Sequence, residues 1–99
     1  MNLILETIAK EKKRIEYQLS TYMNMINKLP KGTLSGSNRN GQTYYYLKYR
    51  ENGKVVSKYV GTEISELQRQ IEKRKHISVM IKALKEELKI ANRALEGNL

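Results

Sequence analysis

The sequence predicts an α+β fold, in which two long helices pack as an antiparallel coiled-coil-like pair and a two- to three-stranded antiparallel β-hairpin is inserted between them. In both end regions of the chain, apolar residues recur at three- and four-residue steps, as on one face of a helix. In the middle the spacing changes to two, around an Asn-Gly pair. Because 99 residues are near the usual size of one domain, a single domain over residues 1–99 is expected.

The first helix is predicted over about residues 2–28, a stretch that contains neither Gly nor Pro. Its apolar seam consists of Leu5, Ile8, Ile15, Leu19, Tyr22, Ile26 and Leu29. Pro30 and Gly32 follow this seam and are typical residues for ending a helix.

The β-hairpin is predicted over about residues 32–61, with strands at 43–50 and 55–60. Asn52 and Gly53 form the pair that type I′ turns favour. This turn sets a register that runs from Glu51 opposite Lys54 to Tyr45 opposite Val60. Residues 32–35 are expected to add a third, shorter strand, and residues 37–41 are expected to form a flexible loop.

The second helix is predicted over about residues 63–96, with Thr62 as its cap and acidic residues in its first turn. Its apolar residues follow two phases that are displaced by one residue at positions 73–76. We expect a bend, a rotated seam or a change of packing partner there. Because two narrow seams bury little surface in one chain, a homodimer through the helix seams is also predicted.

Side-chain alternation divides the hairpin into two faces. The face expected to pack on a helix carries Tyr45, Leu47, Tyr49, Val56, Lys58 and Val60. The face expected to point outwards carries Tyr44, Tyr46, Lys48, Arg50, Val55, Ser57 and Tyr59. Aromatic rings that stack on bases, beside cations that neutralise phosphates, are typical of nucleic-acid contact. The alternative is that tyrosine is simply a good strand former and that the cations keep a sheet in solution.

The predicted binding site extends to other cations in the loop, the return strand and the second helix. Its full membership is Arg39, Tyr44, Tyr46, Lys48, Arg50, Lys54, Lys58, Tyr59, Lys73, Arg74 and Lys75. A further basic run at residues 10–14 has Glu6, Glu11 and Glu16 within a helical turn, so a solvated helix face is expected there.

Composition narrows the class of function. Nineteen Lys and Arg against ten Asp and Glu give a net charge of +9, and residues 31–62 hold more than half of it. This favours a phosphate-bearing or acidic partner. The chain has no Cys and one His, and neither a catalytic nor a metal-binding constellation is recognisable. We therefore expect a non-enzymatic protein without cofactor, metal or membrane span, in the cytoplasm.

Two resemblances rest on the run of residues 42–61, QTYYYLKYRENGKVVSKYVG, and on the preceding LPKGTL at residues 29–34. The hairpin resembles the arm-binding domain of phage and transposon tyrosine integrases, which lays a sheet on DNA. The longer stretch resembles a set of short uncharacterised proteins of Gram-positive phages and mobile elements. The second resemblance implies an origin in a phage or mobile element, and therefore a location in the cytoplasm of a bacterial host. Phage genes of this size often encode inhibitors of host defence, including anti-CRISPR proteins.

Three hypotheses follow. The first is an accessory protein of a phage or mobile element that binds DNA or RNA through the outward face of the hairpin. The second is an inhibitor of a host defence nuclease that binds a Cas effector or its ribonucleoprotein. The third is a coiled-coil adaptor whose helices carry the function.

Overall fold

The computed structural model describes residues 2–97 and confirms the α+β class. Its elements are α1 (Leu3–Ile26), β1 (Thr33–Arg39), β2 (Gln42–Glu51), β3 (Lys54–Gly61) and α2 (Ser65–Leu95). The chain divides into two compact units, a helical unit (residues 1–28 and 76–99) and a sheet unit (residues 29–75). Residues 1, 98 and 99 lie outside the described residues. That residues 1–99 form a single domain stays a prediction.

The helical unit is held by apolar contact between α1 and the second half of α2. Asn2 caps α1, since its Oδ1 accepts hydrogen bonds from the backbone N–H groups of Ile4 and Leu5 at 3.0 and 3.2 Å. Ile15 and Leu19 are buried in one cluster with Leu84 of α2. Tyr22, Ile81 and Leu88 pack against this cluster. These contacts lie on the apolar seams that the sequence predicts.

The two helices of this unit run antiparallel. The first half of α1 and the end of α2 line the same depression, with Ile8 and Ile15 on one side and Ala91 and Ala94 on the other. The second half of α1 instead meets the middle of α2, in the cluster that contains Leu84. The antiparallel order of the helix pair is therefore as predicted.

The sheet unit contains a three-stranded antiparallel sheet in the order β1-β2-β3. Both connections are two-residue Asn-Gly turns, Asn40-Gly41 and Asn52-Gly53, and φ is positive at all four residues, between 52° and 80°. This conformation is that of type I′ turns, which suit the twist of paired strands. The predicted flexible loop at residues 37–41 is wrong, because β1 extends to Arg39 and only Asn40-Gly41 turns the chain.

The predicted register of the second hairpin is confirmed from Glu51 opposite Lys54 to Tyr46 opposite Tyr59. It is wrong at the last pair, because Tyr45 lies opposite Gly61 and not opposite Val60. A β-bulge at this point gives β3 one residue more than β2. The bulge lies beyond Tyr59, so the predicted faces are unchanged up to that residue.

The inner face of the sheet is the more buried one. Leu47 keeps only 8% of its surface exposed, and Tyr45, Tyr49 and Val56 are half-buried. Gly36 lies opposite Tyr45, and a Cβ added there would meet Thr43 at 3.0 Å and the Tyr45 ring at 3.3 Å. The Tyr45 ring therefore lies close to the backbone of β1 on the inner face.

Helix α2 belongs to both units and begins differently from the prediction. It begins at Ser65, whose backbone N–H donates a hydrogen bond to a carboxylate oxygen of Glu63 at 2.8 Å. The side chain that caps this end is therefore Glu63 and not the predicted Thr62. The boundary between the units falls after Lys75, within the predicted seam shift. The bend, rotated seam or change of packing partner expected there stays a prediction. No helix within residues 2–97 is long and apolar enough to cross a membrane.

Candidate functional site

The outer face of the sheet is defined by the alternation of residues along the paired strands. It consists of Thr33, Ser35, Ser37 and Arg39 of β1, Gln42, Tyr44, Tyr46, Lys48 and Arg50 of β2, and Val55, Ser57 and Tyr59 of β3. Small hydroxyl residues of β1 thus lie beside the large aromatic and basic residues of β2. The outer face carries six of the eleven predicted site residues.

Three tyrosines meet at the centre of the outer face. Tyr46 and Tyr59 are cross-strand partners with ring centroids 5.4 Å apart and planes at 57°. Tyr44 lies diagonally across from Tyr59, with centroids 6.5 Å apart and planes at 39°. These distances are typical of favourable tilted aromatic pairs. Tyr59 still has 53% of its surface exposed, so the cluster is accessible to a partner.

The cations of the outer face flank this cluster. Lys48 and Arg50 follow Tyr46 on β2, at about 7 and 13 Å along the strand, and both are exposed. Within residues 2–97, ion pairs join Arg14 to Glu11 and Arg69 to Glu66, and no cation of the outer face takes part in one. Lys48, Arg50 and Arg39 therefore have no carboxylate partner in that part of the chain. Their charges are available to an external anion.

An open depression of about 440 Å³ lies at one end of the outer face. It borders the Asn40-Gly41 turn between β1 and β2, which is the first turn of the sheet. It is lined by Arg39, Asn40, Tyr44, Tyr46 and Tyr59. Guanidinium, amide and phenol groups thus surround a concave surface whose walls are aromatic rings. This combination can hold a flat polar group by stacking and by hydrogen bonds to its edge.

The sheet separates two predicted site residues from the others. Lys58 lies opposite Leu47, and Lys54 lies opposite Glu51, so both belong to the inner face. Lys58 lines a different depression together with Pro30, Lys31, Leu47 and Tyr49. The alternation of the strands predicts this position for Lys58, and a binding role for Lys54 and Lys58 stays a prediction.

The basic run on α2 is also divided. Lys73 and Lys75 are exposed, but Arg74 is half-buried and donates from Nη1 to the backbone oxygen of Leu29 at 2.8 Å. Arg74 occupies a seam position between Ile71 and Ile77, both of which are buried. Its guanidinium therefore satisfies a carbonyl near the end of the first helix. A binding role for Lys73 and Lys75 stays a prediction.

Several residues of the outer face were not predicted as part of the site. Asn40 lines the depression, and Ser35 and Ser37 lie opposite Tyr46 and Tyr44. The Asn40-Gly41 pair could have predicted the turn between β1 and β2, and with it the position of these residues, because the same dipeptide predicted the other turn. Serine, asparagine and glycine are weak strand formers, and this composition concealed β1.

Charges on the helices are arranged differently from those on the outer face. Glu11 accepts two hydrogen bonds from the Arg14 guanidinium, at 2.9 and 2.7 Å, and these hold the pKa of its carboxyl below the usual value. Glu66 makes the same type of pair with Arg69, with the same direction of pKa shift. In each pair the two partners lie about one helical turn apart, and their side chains are exposed to solvent. The Glu11 pair is consistent with a solvated face around residues 10–14.

Within residues 2–97 no group of three or more His, Asp or Glu side chains is placed to hold a metal ion.

A family model described as a domain of unknown function, DUF6788, matches residues 5–70, which is two thirds of the chain. The chain belongs to this family. No curated protein and no solved structure matches it. The DUF6788 match includes nearly all of α1, the whole sheet and the first turns of α2. All residues of the outer face therefore lie within the part that the family shares.

Proposed function

We propose that this DUF6788 protein is a non-enzymatic nucleic-acid-binding protein whose contact surface is the outer face of the sheet. The observation that carries the proposal is the cluster of Tyr44, Tyr46 and Tyr59, in mutual contact yet accessible, beside cations without carboxylate partners. Rings of this kind stack on bases, and lysine or arginine neutralises phosphates and releases their counterions. An accessory role in a phage or mobile element is part of this proposal.

The charge of the sheet unit supports the proposal. Its 47 residues contain ten basic and four acidic residues, a net charge of +6 of the +9 carried by the chain. One of the four carboxylates, Glu66, is already paired with Arg69. A surface with this balance attracts polyanions from beyond contact distance, over about 10 Å at 0.1 M salt.

The test is binding of labelled DNA and RNA oligonucleotides, single-stranded and duplex, across a salt series. A Lys48→Gln/Arg50→Gln variant should weaken binding and reduce the slope of log affinity against log salt by about 0.7 to 0.9 for each lost phosphate contact. The matched control is Lys10→Gln/Lys13→Gln, which removes the same charge from the exposed surface of α1.

Equal loss in both variants would show that only net charge matters and would contradict a site on the outer face. Absence of binding to every oligonucleotide would contradict the proposal itself. In that case the second hypothesis, a protein partner such as a nuclease or Cas effector, would be tested by direct binding.

A further inference from the structure

The depression at the first turn differs from the rest of the outer face in shape and chemistry. Three of its five lining residues are tyrosines, and the other two are Arg39 and Asn40. Its volume of about 440 Å³ falls in the roughly 300 to 1,000 Å³ range of sites for small ligands. A surface that only tracks phosphates needs no such concavity.

The rings that line the depression do not cover one another. Their planes are inclined by 39° and 57°, so Tyr59 is not stacked face to face with either neighbour. Together with its 53% exposure, this leaves ring surface on which a planar group can lie. In a duplex both faces of each base are covered by neighbouring bases, whereas an unstacked base is free to lie on an aromatic ring.

The polar residues of the depression favour the same ligand. Arg39 offers five N–H donors, and the Asn40 amide offers both donors and an acceptor. Neither side chain forms a hydrogen bond with another side chain or with the backbone within residues 2–97. Their donors and acceptors are therefore available to a ligand. The Watson–Crick edge of a base presents donors and acceptors of this kind only when the base is unpaired.

We propose that the depression formed by Arg39, Asn40, Tyr44, Tyr46 and Tyr59 binds an unpaired base of a single-stranded nucleic acid, DNA or RNA. This inference rests on the proposed function and adds the class of nucleic acid. The base stacks on the tyrosine cluster, and its edge meets Arg39 and Asn40. The phosphates next to it lead along β2 to Lys48 and Arg50.

The experiment compares a labelled 12-nucleotide single strand with its own duplex at one salt concentration, for the wild-type protein and two variants. Tyr59→Ala removes the most exposed ring of the cluster. Tyr17→Ala is the matched control, because Tyr17 is 75% exposed on α1 and lies in the other unit. Circular dichroism and thermal unfolding establish that both variants are folded.

The expected result is that the single strand binds at least about tenfold more tightly than the duplex. Tyr59→Ala should weaken single-strand binding by about 5- to 150-fold, the effect of losing one base-stacking contact. It should weaken duplex binding by less than it weakens single-strand binding, and Tyr17→Ala should leave both unchanged. Tyr59→Phe keeps the ring and should restore single-strand binding.

Other results would overturn either the unpaired-base site alone or the proposed function as well. Duplex binding that equals or exceeds single-strand binding, or equal effects of Tyr59→Ala and Tyr17→Ala, would overturn the unpaired-base site and leave the proposed function standing. Failure of the wild-type protein to bind either oligonucleotide would overturn both.

Discussion

The two faces of the sheet are built from neighbouring residues of the same strands, but they differ in burial and chemistry. On the inner face Leu47 is 8% exposed and lies opposite Lys58. On the outer face Tyr59 is 53% exposed and lies opposite Tyr46. Leucine on the inner face removes apolar surface from water, whereas accessible tyrosine leaves ring surface in contact with it. The comparison indicates that the inner face contributes to stability, and it supports the proposed binding role of the outer face.

The largest expected effect comes from breaking the inner face. Leu47→Ala should lower the free energy of unfolding by about 2 to 5 kcal/mol, because it removes a buried side chain and leaves a cavity. Urea unfolding measures this change. Val55→Ala is the control on the outer face, where the side chain is 66% exposed, and it should cost less than about 1 kcal/mol. Similar losses in both variants would contradict the division between the faces.

A smaller effect on stability is expected at the two Asn-Gly turns. Both turns have the same conformation, but only Asn40-Gly41 borders the depression, so the pair separates stability from binding. Gly41→Ala and Gly53→Ala should each cost about 1 to 2 kcal/mol of stability, since φ is +80° and +78° and an L side chain is strained there. A Cβ would meet no atom within 4 Å at either position, so the cost is confined to the backbone.

Binding should separate the two glycine variants. Gly41→Ala disturbs the turn next to Arg39 and Asn40 and should weaken single-strand binding, whereas Gly53→Ala should leave it within about twofold. Fluorescence anisotropy at a temperature where both variants are folded measures the difference. Equal affinity in the two variants would contradict a role for the first turn.

The smallest expected effect concerns the exposed pair of Glu11 and Arg14 on α1. Arg14 lowers the pKa of Glu11 in the folded state below the ordinary value of about 4.5. The pair therefore contributes stability above the unfolded pKa of the carboxyl, and this contribution is lost as pH falls through the lower folded pKa. Glu11→Gln should therefore lower the melting temperature slightly at pH 7 and not at pH 2.

The control for this pair is Glu16→Gln, because Glu16 forms no ion pair within residues 2–97. Thermal unfolding at both pH values measures the two variants. A pH-independent difference between Glu11→Gln and the wild-type protein would show that the loss comes from packing and not from the charge pair.

Sequence patterns predicted the parts of the fold that follow a regular period. The three- and four-residue steps around Ile15, Leu19 and Leu84 identified the two helices and their buried faces. The Asn52-Gly53 turn identified the hairpin and its register down to Tyr46 opposite Tyr59. These elements are local, so each is specified by residues that are close in the chain.

The remaining features depend on irregular backbone or on contacts that are distant in sequence. The bulge opposite Tyr45 breaks the two-residue alternation on which the register was based. Arg74 is held by Leu29, which is 45 residues away, and a run of basic residues gives no sign of such a bond. The depression also joins Arg39 of β1 to Tyr59 of β3, so it required the full order of the sheet.

The central claim, that the outer face is the surface that binds nucleic acid, is tested most directly by the tyrosine signals in NMR spectra. The chain has seven tyrosines, and they fall into three groups. Tyr44, Tyr46 and Tyr59 lie on the outer face, Tyr45 and Tyr49 lie on the inner face, and Tyr17 and Tyr22 lie on α1.

The measurement adds an unlabelled single-stranded oligonucleotide to protein that carries ¹³C-labelled tyrosine. We expect the ring signals of Tyr44, Tyr46 and Tyr59 to shift on binding while the four other signals stay in place. Shifts at Tyr17 and Tyr22, or at Tyr45 and Tyr49, without shifts at the outer-face cluster would contradict the claim.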